Sequence, residues 1–215
     1  MYKAILFDLD GTLTESGEGI TKCVQYALEF YGIHIEEKET LRRFIGPPLR
    51  ESFPKLAGLP QEYVEDAVAR YRERYYPVGI FECAPFPGVE DVLEVFQKAG
   101  KVQVVSSSKP EVMCRKILDK FHMTGWFDQI VGASEDGRID TKAQVLQEAF
   151  RRLRAQDPSF SPEDAVLIGD TRFDAEAGMD CIGVSYGFGT EKELLEHGAL
   201  AIADRPEELK NFLYI

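Results

Sequence analysis

At 215 residues with 44% apolar side chains, the chain is long enough for one full hydrophobic core and a small additional module. A formal net charge of −12 excludes a nucleic-acid backbone or an anionic membrane as the main partner, because both are held by clustered Lys and Arg. The four cysteines are scattered without a CxxC pair, no signal-peptide pattern opens the chain and no apolar run is bilayer-length, so the expectation is a cytoplasmic protein with unreactive, buried thiols.

The first predicted element is an apolar strand, Ala4-Ile5-Leu6-Phe7, closed by Asp8 and Asp10. In an extended chain residues two apart share a face, so both carboxylates emerge together at the strand's carboxyl end. At 4 Å two such charges repel by about 4 kcal/mol at an effective dielectric near 20, so the pair calls for a proton, a cation or both.

From residue 15 to about 80 the pattern turns helical. Ile20, Cys23, Val24, Ala27, Leu28 and Tyr31 recur at three- and four-residue intervals, and a second segment holds Leu41, Phe44 and Ile45 until Gly46-Pro47-Pro48 interrupts it. Further stripes run through Leu49, Phe53 and Leu56, then Tyr63, Val64, Ala67, Val68, Tyr71 and Tyr75. Residues 15–81 therefore read as an all-helical insertion, ending before Pro85-Phe86-Pro87-Gly88, within a core made of residues 1–14 and 82–215.

Strand and helix then alternate: a helix over 89–98, a strand over 102–105, a helix over 110–121, a strand over 129–132 and a helix over 141–155. A strand over 165–168, a short helix, a strand over 182–185, a helix over 191–197, a strand over 199–203 and a last helix from Pro206 complete the chain. This order predicts an α/β, Rossmann-like, mostly parallel sheet with helices on both faces, and ligands of such sheets bind at the strands' carboxyl edge.

The chemically capable residues fall at that edge. Asp8 and Asp10 end the first strand, Ser106-Ser107-Ser108-Lys109 follow the second, Lys142 opens the helix after the third, and Gly169-Asp170 end the fourth. If a helix begins near Asp170, Asp174 lies one turn along the same face. An all-oxygen acidic set with no His or Cys suits Mg²⁺ better than zinc or copper. Serine hydroxyls, backbone amides and lysines opposite these acids suit phosphate.

Four ordered motifs make the chain similar to the haloacid dehalogenase-like phosphohydrolases, within them the phosphoglycolate phosphatase-like group with a helical cap. DLDGTL at 8–13 resembles the first motif, SSK at 107–109 the second, Lys142 the third and GDTRFD at 169–174 the fourth; IGPPL at 45–49, PFPGV at 85–89 and YGFGT at 186–190 resemble connecting segments. The resemblance implies that Asp8 attacks phosphorus to give an aspartyl-phosphate and that Asp10 protonates the leaving oxygen, then deprotonates water. It implies Mg²⁺ held by the Asp8 side chain, the Asp10 backbone carbonyl and Asp170, with Asp174 a direct or water-mediated ligand. Ser107 and Lys142 would hold the phosphoryl oxygens, with Thr12, Ser108, Lys109 and the cap's Arg50 as further substrate contacts.

A phosphate dianion beside ionised Asp8, Asp170 and Asp174 makes five negative charges against three positive from Mg²⁺ and Lys142, so neither cation is dispensable. The implied function is hydrolysis of a small phosphorylated metabolite by a monomer or weak homodimer, under a cap placed as a lid. A nucleotidase, a sugar-phosphate phosphatase or a phosphomutase shares these residues, as does an aspartate phospho-acceptor, against which the acid–base Asp10 argues. Two departures stand out. The segment from Asp174 to Ile182 is about one helical turn shorter than the family's usual spacing, which should leave the sheet intact. In Ser106-Ser107-Ser108 the register that presents a hydroxyl to phosphate is ambiguous, and the count from Ala99-Gly100 favours Ser107.

Overall fold

The structure is a computed structural model that describes residues 2–134 and 136–212. In chain order, strand β1 (Ala4–Phe7) is followed by the short strand β2 (Thr14–Glu15), helices α1 (Gly17–Glu29), α2 (Lys38–Arg42), α3 (Leu49–Ala57) and α4 (Val64–Tyr75), and a short strand β3 (Ala84–Pro85) that pairs with β2. Then come α5 (Val89–Lys98), β4 (Val102–Pro110), α6 (Glu111–Lys120), β5 (Gln129–Ala133), α7 (Lys142–Gln156), β6 (Ala165–Gly169), α8 (Arg172–Ala175), β7 (Cys181–Val184), α9 (Glu191–Glu196) and β8 (Ala201–Ala203). Residues Pro206–Phe212 form the last helix, of the 3-10 kind.

The chain divides into two compact units, Met1–Thr14 with Pro85–Ile215 and Glu15–Ala84. The first is an α/β unit around a six-stranded sheet in the order β5-β4-β1-β6-β7-β8, with every pairing parallel. From β1 the chain first builds outward through β4 and β5, then returns to build the other half through β6, β7 and β8. The strand order thus reverses beside β1, where such sheets open a crevice at their carboxyl ends.

Burial on both faces explains the unbroken apolar run of β1. Ala4 and Leu6 join Val104, Leu167 and the α7 residues Val145, Leu146, Ala149 and Leu153 in one cluster. Phe7, of opposite parity, meets Phe96 of α5 and Phe127, each with ring centroids 6.1 Å apart. Each fully buried side chain of this size contributes about 1.5–3 kcal/mol, so register is strongly specified.

The stretch from Asp174 to β7 is compact. Helix α8 spans only four residues, Gly178 turns the chain at φ +82°, and β7 pairs with β6 from Cys181 opposite Leu167.

The second unit is helical. Ile20, Cys23, Val24, Ala27 and Leu28 of α1 and Val64, Ala67, Val68, Tyr71 and Tyr75 of α4 are buried, and Phe44 packs on Phe53 at 5.8 Å. Gly19 is required by close approach, since a Cβ there would stand 2.1 Å from Gly79 O. Arg50 lies on α3, exposed, with Nε and Nη2 bonded to the Glu65 carboxylate at 2.6 and 2.9 Å. Among the described residues no helix is long and apolar enough to cross a membrane.

Candidate active site

Asp8 stands one residue beyond β1, and its backbone amide donates to Ile168 O of β6 at 2.9 Å, continuing the ladder. The chain then turns sharply around Leu9 O, which accepts from the amides of Leu13 and Thr14 at 3.0 and 2.9 Å. Gly11 makes this turn possible. Its φ is +84°, and a Cβ would lie 2.0 Å from Asp170 Oδ2.

Lys142 is placed by a capping box. Thr141 Oγ1 accepts from the Gln144 amide at 3.3 Å, and Gln144 Oε1 accepts from the Thr141 amide at 3.1 Å, so α7 starts at Lys142. Its ammonium donates to Asp8 Oδ1 at 2.8 Å and Ser106 O at 2.8 Å, and lies 2.6 Å from Asp174 Oδ1.

Asp170 and Asp174 meet differently from the expectation. Helix α8 begins at Arg172, so Asp170 precedes it and the two are not successive turns of one helix. Asp174 instead folds back as a capping acid, its Oδ2 accepting from the Thr171 amide at 3.0 Å and from Thr171 Oγ1 at 2.8 Å. Its two oxygens are thus divided between the cap and Lys142. Room for this exists because residue 169 is glycine, where a Cβ would stand 2.2 Å from Asp174 Cγ.

Asp170 is fully buried and clamped from two sides. Oδ1 accepts from Thr12 Oγ1 at 3.2 Å, and Oδ2 from the Phe188 amide at 2.8 Å. Thr12, expected as a substrate contact, is therefore engaged with Asp170. Tyr186 O–H donates to Thr12 O at 3.1 Å and ties the clamp's two sides together. Sequence reasoning missed the 186–190 segment as part of the site, and a backbone amide has no side-chain signature by which to find it. The available signal was Gly187 and Gly189, where a Cβ would stand 2.3 Å from Asp170 Cβ and 2.1 Å from Asp170 O.

Strand β4 extends to Pro110, so Ser106, Ser107, Ser108 and Lys109 lie within it and not in a loop after it. Ser107 Oγ accepts from the Lys109 amide at 3.3 Å, Ser108 is exposed, and the buried Ser106 Oγ has no hydrogen-bond partner among the described residues. Lys109 Nζ lies 2.8 Å from Asp10 Oδ1 and 2.7 Å from Oδ2.

Asp8, Asp170 and Asp174 each offer a ligand oxygen, all within 4.8 Å of one another. Burial, reinforced by Asp174 and Asp10 and opposed by Lys142, pushes Asp8 up to about 6. Burial, with Asp174 and Asp8, drives Asp170 well above the carboxylate range. For Lys142, burial favours the neutral amine, but Asp174 and Asp8 outweigh it and raise the pKa, keeping the ammonium charged. Three carboxylates and one ammonium leave two negative charges uncompensated when all are ionised. The set therefore fits one divalent cation of the oxygen-preferring kind. Asp10 contributes its side chain to Lys109 and not to this cluster.

A family model described as haloacid dehalogenase-like hydrolase matches residues 5–184. A 5'-nucleotidase of Pseudomonas aeruginosa is 38% identical over 200 residues, covering 91% of this chain and 88% of its own. A phosphoglycolate phosphatase of Aquifex aeolicus is 30% identical over 176 residues, 82% of this chain and 79% of its own. The crystal structure of a predicted phosphatase from Clostridium acetobutylicum superposes with a TM-score of 0.92 at 38% identity, covering 100% of both chains.

Proposed function

Because the chain belongs to the haloacid dehalogenase-like hydrolases, as a phosphatase of that family, we propose that it hydrolyses a small phosphomonoester in the cytoplasm, with Mg²⁺ bound, through an aspartyl-phosphate on Asp8. The observation that carries this reading is Lys142, whose buried ammonium touches Asp8 and Asp174 at once, 2.8 and 2.6 Å away, beside Asp170. Mg²⁺ at Asp8, Asp170 and Asp174, with the Asp10 carbonyl, would supply charge neutralisation for a phosphate dianion.

The residues divide the chemistry as follows. Asp8, less deeply enclosed than Asp170 and Asp174, forms a bond to phosphorus as the ester P–O bond breaks. Asp10 gives its proton to the departing oxygen, then takes one from the water whose oxygen displaces Asp8. Lys142 holds Asp8 in place and offsets charge on the phosphoryl oxygens, and the Thr12–Asp170–Phe188 clamp keeps the acidic cluster rigid. Ser107, Ser108 and Lys109 border the same edge of the sheet.

The first substrate class is a small carboxylated ester such as 2-phosphoglycolate, supported by the relative of that name. A second, a nucleoside 5'-monophosphate, is favoured by the 38% identity to a 5'-nucleotidase. The test is a phosphate-release screen over both classes and sugar phosphates, with Mg²⁺ and with EDTA. Mg²⁺-dependent turnover of one class, lost in Asp8→Asn, is the expected result. Turnover by purified Asp8→Asn near the wild-type rate would overturn the assignment.

A further inference from the structure

Lys109 follows three serines and has the appearance of a phosphate ligand, yet its ammonium straddles Asp10, 2.8 Å from one carboxylate oxygen and 2.7 Å from the other. Lysine and aspartate are both largely buried, at 7% and 17% side-chain exposure. A cation on both oxygens fixes the orientation of the carboxyl as well as its position, which contact with a single oxygen does not.

The contact depends on an irregularity in β4. Up to Ser107, opposite Gly132, the strand pairs residue for residue with β5; the next pair is Pro110 opposite Ala133. Ser108 and Lys109 are thus additional residues on one side of the ladder, and a bulge of this kind bends a strand and re-aims its side chains. Gly132 leaves room for it. A Cβ there would stand 2.5 Å from Lys109 O and 2.6 Å from both N and Cα of Glu111, backbone atoms that cannot swing aside.

We propose that Lys109 is a positioning residue, holding the Asp10 carboxyl where it delivers its proton to the leaving oxygen, and that the bulge opposite Gly132 exists to aim it. The inference rests on the phosphatase reading and on Asp10 as its acid–base group. When one Asp10 oxygen carries the proton, the other still accepts from Lys109, so the contact persists through both halves of the cycle. The proton moves from Asp10 to the ester oxygen as the P–O bond to the leaving group breaks and Asp8 bonds to phosphorus, and water restores it to Asp10 as its oxygen bonds to phosphorus and the Asp8–phosphorus bond breaks.

The experiment compares two leaving groups in the presence of Mg²⁺: an alkyl phosphate, whose alkoxide needs a proton to depart, and p-nitrophenyl phosphate, whose phenolate does not. Lys109→Met is expected to lower kcat/KM, which reports the leaving-group half of the cycle alone, by about 10²-fold on the alkyl ester and to cost at least about tenfold less on the nitrophenyl ester, with Lys109→Arg restoring most of the difference. Gly132→Ala, which displaces the bulge while keeping the lysine, is expected to show the same leaving-group bias and supplies the readout if Lys109→Met does not fold. Equal losses on both esters, or a raised KM on both with kcat intact, would overturn the proposal in favour of a structural or phosphate-binding lysine. Absence of wild-type turnover on every ester would overturn the phosphatase reading and this inference with it.

Discussion

Lys142 Nζ lies 2.8 Å from Asp8 Oδ1 across a sequence separation of 134 residues, joining the start of α7 to the end of β1. The same ammonium meets Asp174 Oδ1 at 2.6 Å, so its removal leaves two buried carboxylates facing each other without their cation. Lys142→Ala is expected to lower kcat by about 10²-fold or more, because phosphoryl transfer rests on charge neutralisation and alignment. Stripping one partner from a buried ion pair also costs about 3–5 kcal/mol, so its urea midpoint should fall in EDTA and recover in part when Mg²⁺ is added. Steady-state phosphate release and urea titration check the two halves separately.

The raised carboxyl groups give the cation-free protein an unusual pH dependence. Burial is the chief cause that pushes Asp8 up to about 6 and raises Asp170 well above its ordinary value, so above the ordinary carboxylate range the folded chain holds more protons than the unfolded chain. Stability therefore falls as pH rises across that window, opposite to a salt-bridged carboxylate. In EDTA, Tm is expected to drop between about pH 4 and pH 6 and the drop to shrink in Asp8→Asn. Mg²⁺, if bound at the ionised set, should flatten the profile. A thermal-melt series at several pH values, with and without Mg²⁺, reads this directly.

Much of the arrangement is legible in the chain because it follows from local rules. The apolar run before Asp8, the helical pattern that opens near Thr141 and the strand–helix alternation after residue 88 each state their own element. What was not legible depends on a partner elsewhere. The bulge that turns Lys109 onto Asp10 is permitted by Gly132 on a different strand. Asp170 is gripped by a backbone amide at Phe188, eighteen residues further on. The pairing of Asp174 with Lys142 arises from a capping turn at Thr171, where spacing alone suggested two turns of one helix.

Gly187 tests how tightly Asp170 is gripped. A Cβ at this position would stand 2.3 Å from Asp170 Cβ and 2.4 Å from Gly11 O, neither the far end of a flexible side chain, so Asp170 or the 8–14 turn must shift. Partners that orient metal-binding carboxylates are commonly worth about 10- to 100-fold in affinity. Gly187→Ala is expected to weaken Mg²⁺ or Mn²⁺ binding within that range, read by titration calorimetry, while kcat at saturating cation falls less. Gly125→Ala, where a Cβ meets nothing within 4 Å, should bind the cation as wild type does.

Thr141 offers the last test, because it acts on the site only through helix geometry. Its hydroxyl accepts from the Gln144 amide and its own amide donates to Gln144 Oε1, so the first turn of α7 is fixed with Lys142 at its opening position. Losing an N-cap hydroxyl costs about 1 kcal/mol, which should appear as a small fall in Tm for Thr141→Ala. A frayed first turn also lets the Lys142 backbone wander, and this ammonium must stay between Asp8 and Asp174. A 1 Å misplacement can cost about 10²-fold, so kcat should fall by more than the stability loss alone predicts at a temperature where the variant is fully folded. Thr141→Ser keeps the acceptor and should restore both quantities. If Thr141→Ala loses stability but keeps full kcat, the ion pairs themselves, and not the helix start, hold Lys142 in place.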